Sequence, residues 1–242
     1  MSTISKPRTV LLSGATSGIG EAICDSLLAA NHRVIGLGRN VDKLRDKHEL
    51  LQAWELDLSN PDAVPKLLTK LIKDYEAEGF SIDTFIASAG YGQFGSLEQF
   101  SYKQMRQIMD VNFLSQANIT RALLPEFKRA GLADIVFIGS EAALAGGRKG
   151  AMYCASKFAL RGFAQALREE CAKSDVRICT INPGMVDTPF FEELDFAPGE
   201  DDTQHIRAKD IADAVMMVLN QPRGTVVDEI NLSPLKKVMR NK

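Results

Sequence analysis

Residues 9–20 read T-V-L-L-S-G-A-T-S-G-I-G, an apolar run that leads directly into a glycine-rich turn. A helical pattern follows at once. In a strand, glycine turn and helix, the free N–H groups of the helix N-terminus and the helix dipole favour a bound phosphate group. Glycines permit the tight turn and the close backbone approach that such a group needs. The stretch predicts an α/β fold with a nucleotide site formed by Gly14, Thr16, Ser17, Gly18, Ile19 and Gly20.

The rest of the chain alternates short apolar runs with helical patterns, which is typical of a parallel sheet covered by helices. This pattern predicts a Rossmann-type, doubly wound sheet of seven parallel strands with helices on both faces, in a single domain of residues 1–242. The predicted strands are 9–13, 33–37, 51–56, 84–88, 133–139, 177–182 and 226–232. The predicted helices are 19–30, 41–49, 61–78, 101–130, 151–173 and 208–220, and the long fourth helix is expected to break around 110–112.

A segment at about 187–205 is the least regular part of the chain. Among Phe190, Phe191 and Phe196 it carries the acidic residues Glu192, Glu193, Asp195, Glu200, Asp201 and Asp202. Irregular segments beside a pocket often close over it during the reaction. We therefore predict a substrate lid here, with a solvated connector as the alternative.

The composition excludes several classes of protein. The 242 residues include 29 basic and 31 acidic side chains, a balance that does not favour nucleic acid or an anionic membrane as partner. The first residues lack a secretory signal, and no segment approaches the roughly 18 apolar residues of a membrane span, so a cytoplasmic protein with a small-molecule substrate is expected. Neither the cysteines nor the histidines show metal-ligand spacing, so no metal is predicted and the cysteines are expected to be reduced core residues.

The end of the second predicted strand, Gly38-Arg39-Asn40, indicates which cofactor the nucleotide site takes. An NAD enzyme places an acidic side chain at this point, against the ribose 2′-hydroxyl. Arg39 stands there instead, and a guanidinium pairs with a 2′-phosphate in bidentate fashion. The predicted cofactor is therefore NADP. Asp57 and Leu58, just after the third strand, are predicted to reach the adenine.

The strongest catalytic signal is Tyr153-Cys154-Ala155-Ser156-Lys157. Residues four apart share one face of a helix, so the phenol and the ammonium can point into the same cavity. Gly139-Ser140 ends one predicted strand, and Asn182-Pro183-Gly184 ends the next. In open parallel sheets, ligands bind at the carboxyl ends of the strands, where all these segments converge.

With these residues in order, the sequence resembles the short-chain dehydrogenase/reductase superfamily over nearly its whole length. The resemblance implies that Tyr153 donates a proton to the carbonyl oxygen during reduction and that Ser140 hydrogen-bonds the same oxygen. Lys157 would hold the nicotinamide ribose and stabilise a tyrosinate, and Asn112 would hold a water that relays protons. A free Tyr titrates near ~10, so an operating value near ~7 requires about 4 kcal/mol of stabilisation of the anion, from the ammonium and an oxidised nicotinamide.

The same resemblance assigns further cofactor contacts. Val186 and Thr188 would hold the nicotinamide carboxamide, and the remaining contacts would come from Ala89, Gly90, Pro183 and Gly184. The family often has Asn-Asn-Ala-Gly where this chain has Ala87-Ser88-Ala89-Gly90, which puts the local hydrogen bonding in doubt. Ser17 stands where many NADP-dependent relatives have a basic residue, so Arg39 would read the phosphate alone.

Several functions fit this reading. The favoured one is an NADP(H)-dependent oxidoreductase that interconverts a secondary alcohol and a carbonyl, with a 3-hydroxy acid such as serine as the preferred refinement. Arg148 is the obvious cation for such a carboxylate. The alternatives are a reductase of 3-oxoacyl groups on acyl carrier protein, docking near Arg121, Lys128 and Arg129, and a non-enzymatic NADP(H) redox sensor. By resemblance, a homodimer or homotetramer is expected.

Overall fold

The computed structural model describes residues 7–60 and 62–242. Its centre is a sheet of seven parallel strands in the order β10-β6-β5-β4-β1-β2-β3. These strands are β1 (Thr9–Ser13), β2 (Arg33–Gly38), β3 (Leu51–Glu55), β4 (Thr84–Ala87), β5 (Ala133–Ile138), β6 (Val176–Pro183) and β10 (Glu229–Leu232). The predicted Rossmann-type fold in a single domain is confirmed. Residues 1–6 and Pro61, which the predictions also included, lie outside the described residues.

The order of the strands fixes where a ligand binds. Val10 of β1 pairs with Val34 of β2 on one side and with Thr84 of β4 on the other. The chain therefore moves outward in one direction through β2 and β3, and in the other direction from β4 onward. A crevice forms at the carboxyl ends of the strands where this direction reverses, between β1 and β4.

Helices cover both faces of the sheet, and each face has its own apolar core. The helices are α1 (Gly18–Ala29), α2 (Ala63–Ala77), α3 (Tyr102–Met109), α4 (Ser115–Ala130), α5 (Ala151–Glu170) and α6 (Ala208–Leu219). Leu71, Phe127 and Leu160 of α2, α4 and α5 pack on one face, and Ile23 and Val215 of α1 and α6 pack on the other.

The predicted helix at 41–49 is wrong. The structure has only a short 3-10 turn there, Asp42–Leu44. Asp46 adopts a positive φ of 58°, and the backbone N–H of Leu50 donates to His48 Nδ1, so a turn replaces the helix. The segment offers only Val41 and Leu44 to the core, which is too little apolar surface to hold a helix in place.

The predicted break in the long helix is confirmed. A π turn at Asp110–Leu114 separates α3 from α4, and within it the N–H of Ser115 donates to the carbonyl of Asp110. Single π turns of this kind occur often at functional sites.

The segment predicted as a lid pairs with a strand formed by the last residues of the chain. Two short strands, β7 (Val186–Asp187) and β9 (Ile206–Arg207), pair with each other, and β8 (Phe196–Pro198) pairs antiparallel with β11 (Met239–Asn241). The N–H of Gly199 donates to the carbonyl of Val238 at 3.2 Å. The segment is thus fastened by a strand from the end of the sequence, a contact that its composition did not predict.

An ion network that was not predicted lies at the opposite, amino edge of the sheet. The buried carboxylate of Asp134 accepts from Arg8 and Arg177, each at 2.5 Å, and lies 3.1 Å from Arg223. Arg8 and Arg177 also donate to the carbonyl of Leu219 at the end of α6. The network therefore ties β5, β6 and α6 to the residue preceding β1.

All four cysteines, Cys24, Cys154, Cys171 and Cys179, are buried and free, as predicted. His32 is buried behind the end of α1, where its Nδ1 accepts the N–H of Arg8, while His48 is exposed. Among the described helices, none has the length and apolar character needed to cross a bilayer.

Candidate active site

The glycine loop after β1 requires glycine where its backbone packs closely against neighbouring backbone. Gly14 has a φ of +73°, and a Cβ there would lie 2.8 Å from the Cα of Ala89. A Cβ on Gly20 would collide with the carbonyl of Gly14. Ser17 caps α1 in an extended conformation and its hydroxyl does not bond the helix N-terminus, so the first N–H groups of α1 are not taken up by that side chain. The loop fits the pyrophosphate of a dinucleotide.

The structure brings Thr188 to this loop. Gly18, at a φ of +55°, would place a Cβ 3.3 Å from the Cβ of Thr188. The Thr188 hydroxyl donates to the carbonyl of Val186, which is buried in β7. Pro183 ends β6 next to Gly184. Of the four residues that the resemblance assigned to this strand end, Thr188 is the one that the structure places against the glycine loop, and Gly184 lies against Pro234 and Glu141.

Arg39 lies just beyond β2, exposed, at the side of the crevice where the adenosine end of a dinucleotide would lie. Two hydrogen bonds from Ser59 lower the pKa of Asp57, and the charge of Arg39 lowers it further. Burial raises the pKa of Tyr91, and the charge of Arg39 opposes this rise. Leu58 is buried beneath the neighbouring turn. The structure thus brings Arg39 near Asp57, and the contacts predicted for Arg39, Asp57 and Leu58 with the cofactor stay predictions.

A glutamine that the sequence analysis missed holds the floor of the crevice. Gln116 accepts from the Ser13 hydroxyl at 2.9 Å and donates to the carbonyl of Ala89 at 3.3 Å. Ser13 in turn accepts the N–H of Ala89 at 3.3 Å. These bonds fix the backbone of Ala89, directly after the two positions at which the family often has asparagine and this chain has Ala87 and Ser88. The available signal was the spacing of Gln116 four residues after Asn112.

Asn112 sits in the π turn with its side chain fully engaged. Its Oδ1 accepts the N–H of Tyr91, and its Nδ2 donates to the carbonyl of Tyr91 and to the Ser156 hydroxyl, at 3.0 to 3.1 Å. A Cβ on Gly90 would lie 3.2 Å from Asn112 Oδ1 and 3.5 Å from Lys157 Nζ. Asn112, Gly90 and Lys157 therefore meet at one point behind the crevice.

Ser140, Tyr153 and Lys157 come together at the carboxyl edge of the sheet, as predicted. Their exposed fractions are only 9 %, 8 % and 5 %. Lys157 Nζ donates to the carbonyl of Ile138 at 3.1 Å and lies 5.9 Å from the centre of the Tyr153 ring. Ser140 caps the turn that follows β5, accepting the N–H of Ala142 at 3.1 Å.

Burial controls the charge of both titrating groups. It raises the pKa of Tyr153 to about 12, against the opposing effect of the Ser140 hydroxyl. It lowers the pKa of Lys157 to about 8. The phenol is therefore fully protonated near neutral pH, and the ammonium is poised to lose its proton a little above it.

Five aromatic rings surround the catalytic end of the crevice, and the sequence analysis missed one of them, Phe94. Phe94 lies 5.1 Å from the ring of Tyr153, measured between ring centres. Phe190, from the predicted lid, lies 5.9 Å from Tyr153 on another side. Phe94 stands in an irregular loop after β4, where no periodic pattern marks it.

The basic residues that were predicted to bind a substrate carboxylate or acyl carrier protein lie on the surface. Arg148 is exposed on the loop before α5. Arg121, Lys128 and Arg129 are exposed along α4, and Arg129 pairs with Glu126. Among the described residues, no group of three or more His, Cys, Asp or Glu side chains is arranged to hold a metal ion.

Comparison with known proteins agrees with this geometry. A family model described as short chain dehydrogenase matches residues 8–197. An uncharacterized oxidoreductase of Staphylococcus epidermidis is 29% identical over 230 residues, which cover 95% of this chain and 98% of that protein.

Two solved structures extend the likeness to three dimensions. Serine dehydrogenase from Escherichia coli is 26% identical, with a TM-score of 0.79 and coverage of 96% of this chain and 97% of that one. An alcohol dehydrogenase from Thermococcus sibiricus, complexed with 5-hydroxy-NADP, is 27% identical, with a TM-score of 0.85 and coverage of 96% and 99%. Because the matched residues 8–197 include the glycine loop, Ser140, Tyr153 and Lys157, the chain belongs to the short chain dehydrogenase family of oxidoreductases.

Proposed function

We propose that this protein interconverts a secondary alcohol and a carbonyl compound, using NADP(H) as the hydride carrier. The observation that carries the proposal is the burial of Ser140, Tyr153 and Lys157 together at the carboxyl edge of the sheet, the edge at which the glycine loop leads into α1. A redox sensor that does not turn over its cofactor has no use for a phenol and an ammonium placed in this way.

When bound, the nicotinamide supplies or accepts the hydride. In the direction of reduction, the carbonyl carbon gains that hydride while the Tyr153 hydroxyl gives its proton to the carbonyl oxygen. Ser140 donates a hydrogen bond to the same oxygen. The high pKa of Tyr153 keeps its proton in place near neutral pH, which favours the donor role. In oxidation the phenol must first lose its proton, so alkaline conditions favour that direction.

Lys157 and Asn112 would restore the proton to Tyr153. Lys157 Nζ has one donor committed to the carbonyl of Ile138, which leaves others for the nicotinamide ribose and a water. The side chain of Asn112 is bound to Tyr91 and Ser156, so its main-chain carbonyl is the group we assign to the relay water. Ser156 and Tyr91 act as positioning residues for that turn.

The preference for NADP rests on Arg39. Its guanidinium is exposed beside the crevice and is free to turn toward a 2′-phosphate. Asp57 is committed to Ser59 through two hydrogen bonds, at 2.8 and 2.9 Å. We assign Asp57 and Leu58 to the adenine, and Ala89, Gly90, Pro183, Gly184, Val186 and Thr188 to the rest of the cofactor. The NADP complex of the alcohol dehydrogenase relative supports this choice.

The predicted lid and the predicted assembly are part of the proposal. Residues 187–205 would serve as the substrate lid over Tyr153. Leu114 at the start of α4 and Phe158 on α5 are exposed apolar side chains, which suit pairing with a second copy in a dimer or tetramer. The chain would act in the cytoplasm on a small molecule.

Two refinements of the substrate differ in their support. The likeness to serine dehydrogenase favours a 3-hydroxy acid. The basic residues proposed to dock acyl carrier protein lie on α4, and Lys128 and Arg129 are at its end, which leads into the start of β5. That end is far from the carboxyl edge of the sheet, so the acyl carrier protein alternative has less support.

A screen in both directions tests the proposal. NADPH consumption is measured with a panel of ketones and aldehydes, and NADP+ reduction with the matching alcohols. We expect turnover with at least one pair and its loss in Tyr153→Phe. Tight NADPH binding without turnover of any compound would favour the sensor instead.

A further inference from the structure

The rings around Tyr153 form a closed cycle. Phe94 contacts Tyr153 and Phe196, with ring centres 5.1 and 5.0 Å apart. Tyr153 contacts Phe190 at 5.9 Å, Phe190 contacts Phe191 at 5.0 Å, and Phe191 closes the cycle to Phe196 at 5.8 Å. We call these five residues the aromatic cycle. Tyr153 is therefore bordered by two apolar rings, those of Phe94 and Phe190.

Three separate parts of the backbone hold this cycle. Phe94 comes from the loop after β4, Tyr153 from α5, and the other three rings from the segment between β7 and β9. A Cβ on Gly92 would collide with the ring of Phe190 and lie 2.8 Å from that of Phe94, so a glycine is needed there. Phe196 is fixed by the pairing of β8 with β11. The arrangement is built by the fold and does not depend on one flexible side chain.

The charges beside the cycle do not suit a carboxylate. Glu141 follows Ser140 directly, and its charge acts on Tyr153 to raise the pKa of the phenol. Lys237 lies 3.2 Å from Glu141, but its side chain is 70 % exposed. The charge of Glu141 reaches Tyr153, and a carboxylate placed against the apolar rings would lose its hydration there.

We propose that the substrate is an uncharged carbonyl compound, or the matching alcohol, that carries an aromatic or similar apolar ring beside the reacting carbon. The aromatic cycle would take that ring, with Phe94 and Phe190 as its principal contacts, while the carbonyl oxygen faces Tyr153 and Ser140. Offset and edge-to-face contacts between such rings are favourable. This inference rests on the proposed function, since it names the substrate class of the same site.

The test compares four 2-oxo compounds that separate ring from charge: methyl benzoylformate, benzoylformate, methyl pyruvate and pyruvate. With NADPH, we expect kcat/KM to be about 100-fold higher for methyl benzoylformate than for either benzoylformate or methyl pyruvate, the scale that a well-formed apolar pocket gives. L-Serine and 3-hydroxybutyrate with NADP+ represent the 3-hydroxy acid class. If either is oxidised more efficiently than 1-phenylethanol, or if benzoylformate is preferred to its ester, the inference is overturned.

Three variants locate the effect. Phe190→Ala should lower the preference for methyl benzoylformate over methyl pyruvate about tenfold. Phe80→Ala, which removes a ring at the opposite edge of the sheet, should leave it unchanged. Glu141→Gln should raise kcat/KM for benzoylformate about tenfold relative to the ester. Equal ring preference in wild type and Phe190→Ala would remove the aromatic cycle from substrate recognition.

A binding measurement separates this inference from the proposed function. Saturation-transfer NMR on the protein with NADP+ should show transfer to the ring protons of 1-phenylethanol and much less to 3-hydroxybutyrate, with the signal reduced in Phe190→Ala. If 1-phenylethanol binds but no compound is turned over, the proposed function fails and the ring site stands. If compounds are turned over but 3-hydroxybutyrate binds better, only the inference fails.

Discussion

Replacing the active-site lysine by methionine should stabilise the protein while it abolishes turnover. Burial lowers the pKa of Lys157 from 10.5 to about 8. Each tenfold change in proton affinity corresponds to about 1.4 kcal/mol, so the charged lysine destabilises the native state by about 3 kcal/mol at pH 7. Lys157→Met removes that cost and leaves the carbonyl of Ile138 without its donor, a loss of about 1 kcal/mol. The net gain is about 2 kcal/mol.

The lowered pKa of Lys157 also determines whether its contribution to stability rises or falls with pH. Between pH 8 and 10.5 the unfolded lysine binds a proton that the native lysine has lost, so the stability contributed by Lys157 rises with pH across this window. Below pH 8 the full penalty is present. The advantage of Lys157→Met should therefore be largest near pH 7 and should shrink, or change sign, above pH 10.5.

Urea unfolding of the cofactor-free proteins at pH 7 and at pH 10.5 measures the difference in unfolding free energy between Lys157→Met and wild type at each pH. A gain of about 2 kcal/mol at pH 7 corresponds to roughly 4 to 8 °C in Tm for a chain of this size. Lys66→Met, at an exposed position on α2, is the matched control and should change stability little at either pH. A Lys157→Met protein that is less stable than wild type at pH 7, or whose difference from wild type is the same at both values, would refute the reasoning.

Three other substitutions probe different parts of the molecule. Tyr153→Phe should abolish turnover and leave cofactor affinity nearly unchanged, because the hydroxyl acts on the substrate oxygen; NADPH titration and steady-state assays measure the two effects, and a loss of cofactor binding would show that the role is misassigned. Arg39→Asp should shift the preference from NADP toward NAD by a few kcal/mol in kcat/KM, since a charge-assisted pair is replaced by repulsion; equal use of both cofactors by the unaltered protein would contradict the phosphate assignment. Asp134→Asn should cost about 3 to 5 kcal/mol of unfolding free energy, because it leaves the buried guanidinium of Arg177 without its anion, while kcat stays near wild type; denaturant titration checks the first expectation, and a cost below about 1 kcal/mol would mean that the network contributes little.

Local signals were enough to predict the sheet, the break in the long helix and the position of Tyr153 and Lys157 on one helix. Most strands of the sheet are short apolar runs, and the π turn falls where the helical pattern of 101–130 was too long for one helix. Tyr153 and Lys157 share a helix, so spacing alone places them together. These features depend on residues that are neighbours in the sequence.

Contacts between distant segments could not be predicted. Phe94 reaches Tyr153 from a loop without periodicity, and Gln116 reaches Ser13 and Ala89 from another element. The pairing of β8 with β11 joins two short runs that carry little strand signal of their own. At 41–49 the helical pattern competed with local turns at Asp46 and His48, and the turns prevailed because few apolar side chains anchor the segment.

The position of β1 in the middle of the sheet has a consequence for how the chain folds. The side of β1 that faces away from β2 has no pairing partner until β4 is in place, because Val10 pairs on that side with Thr84 of β4. During refolding, an early intermediate built on β1, β2 and β3 would present a bare apolar strand to other molecules. Recovery from denaturant should therefore fall as protein concentration increases, and the pairing of β1 with β4 should be the step that ends this vulnerability.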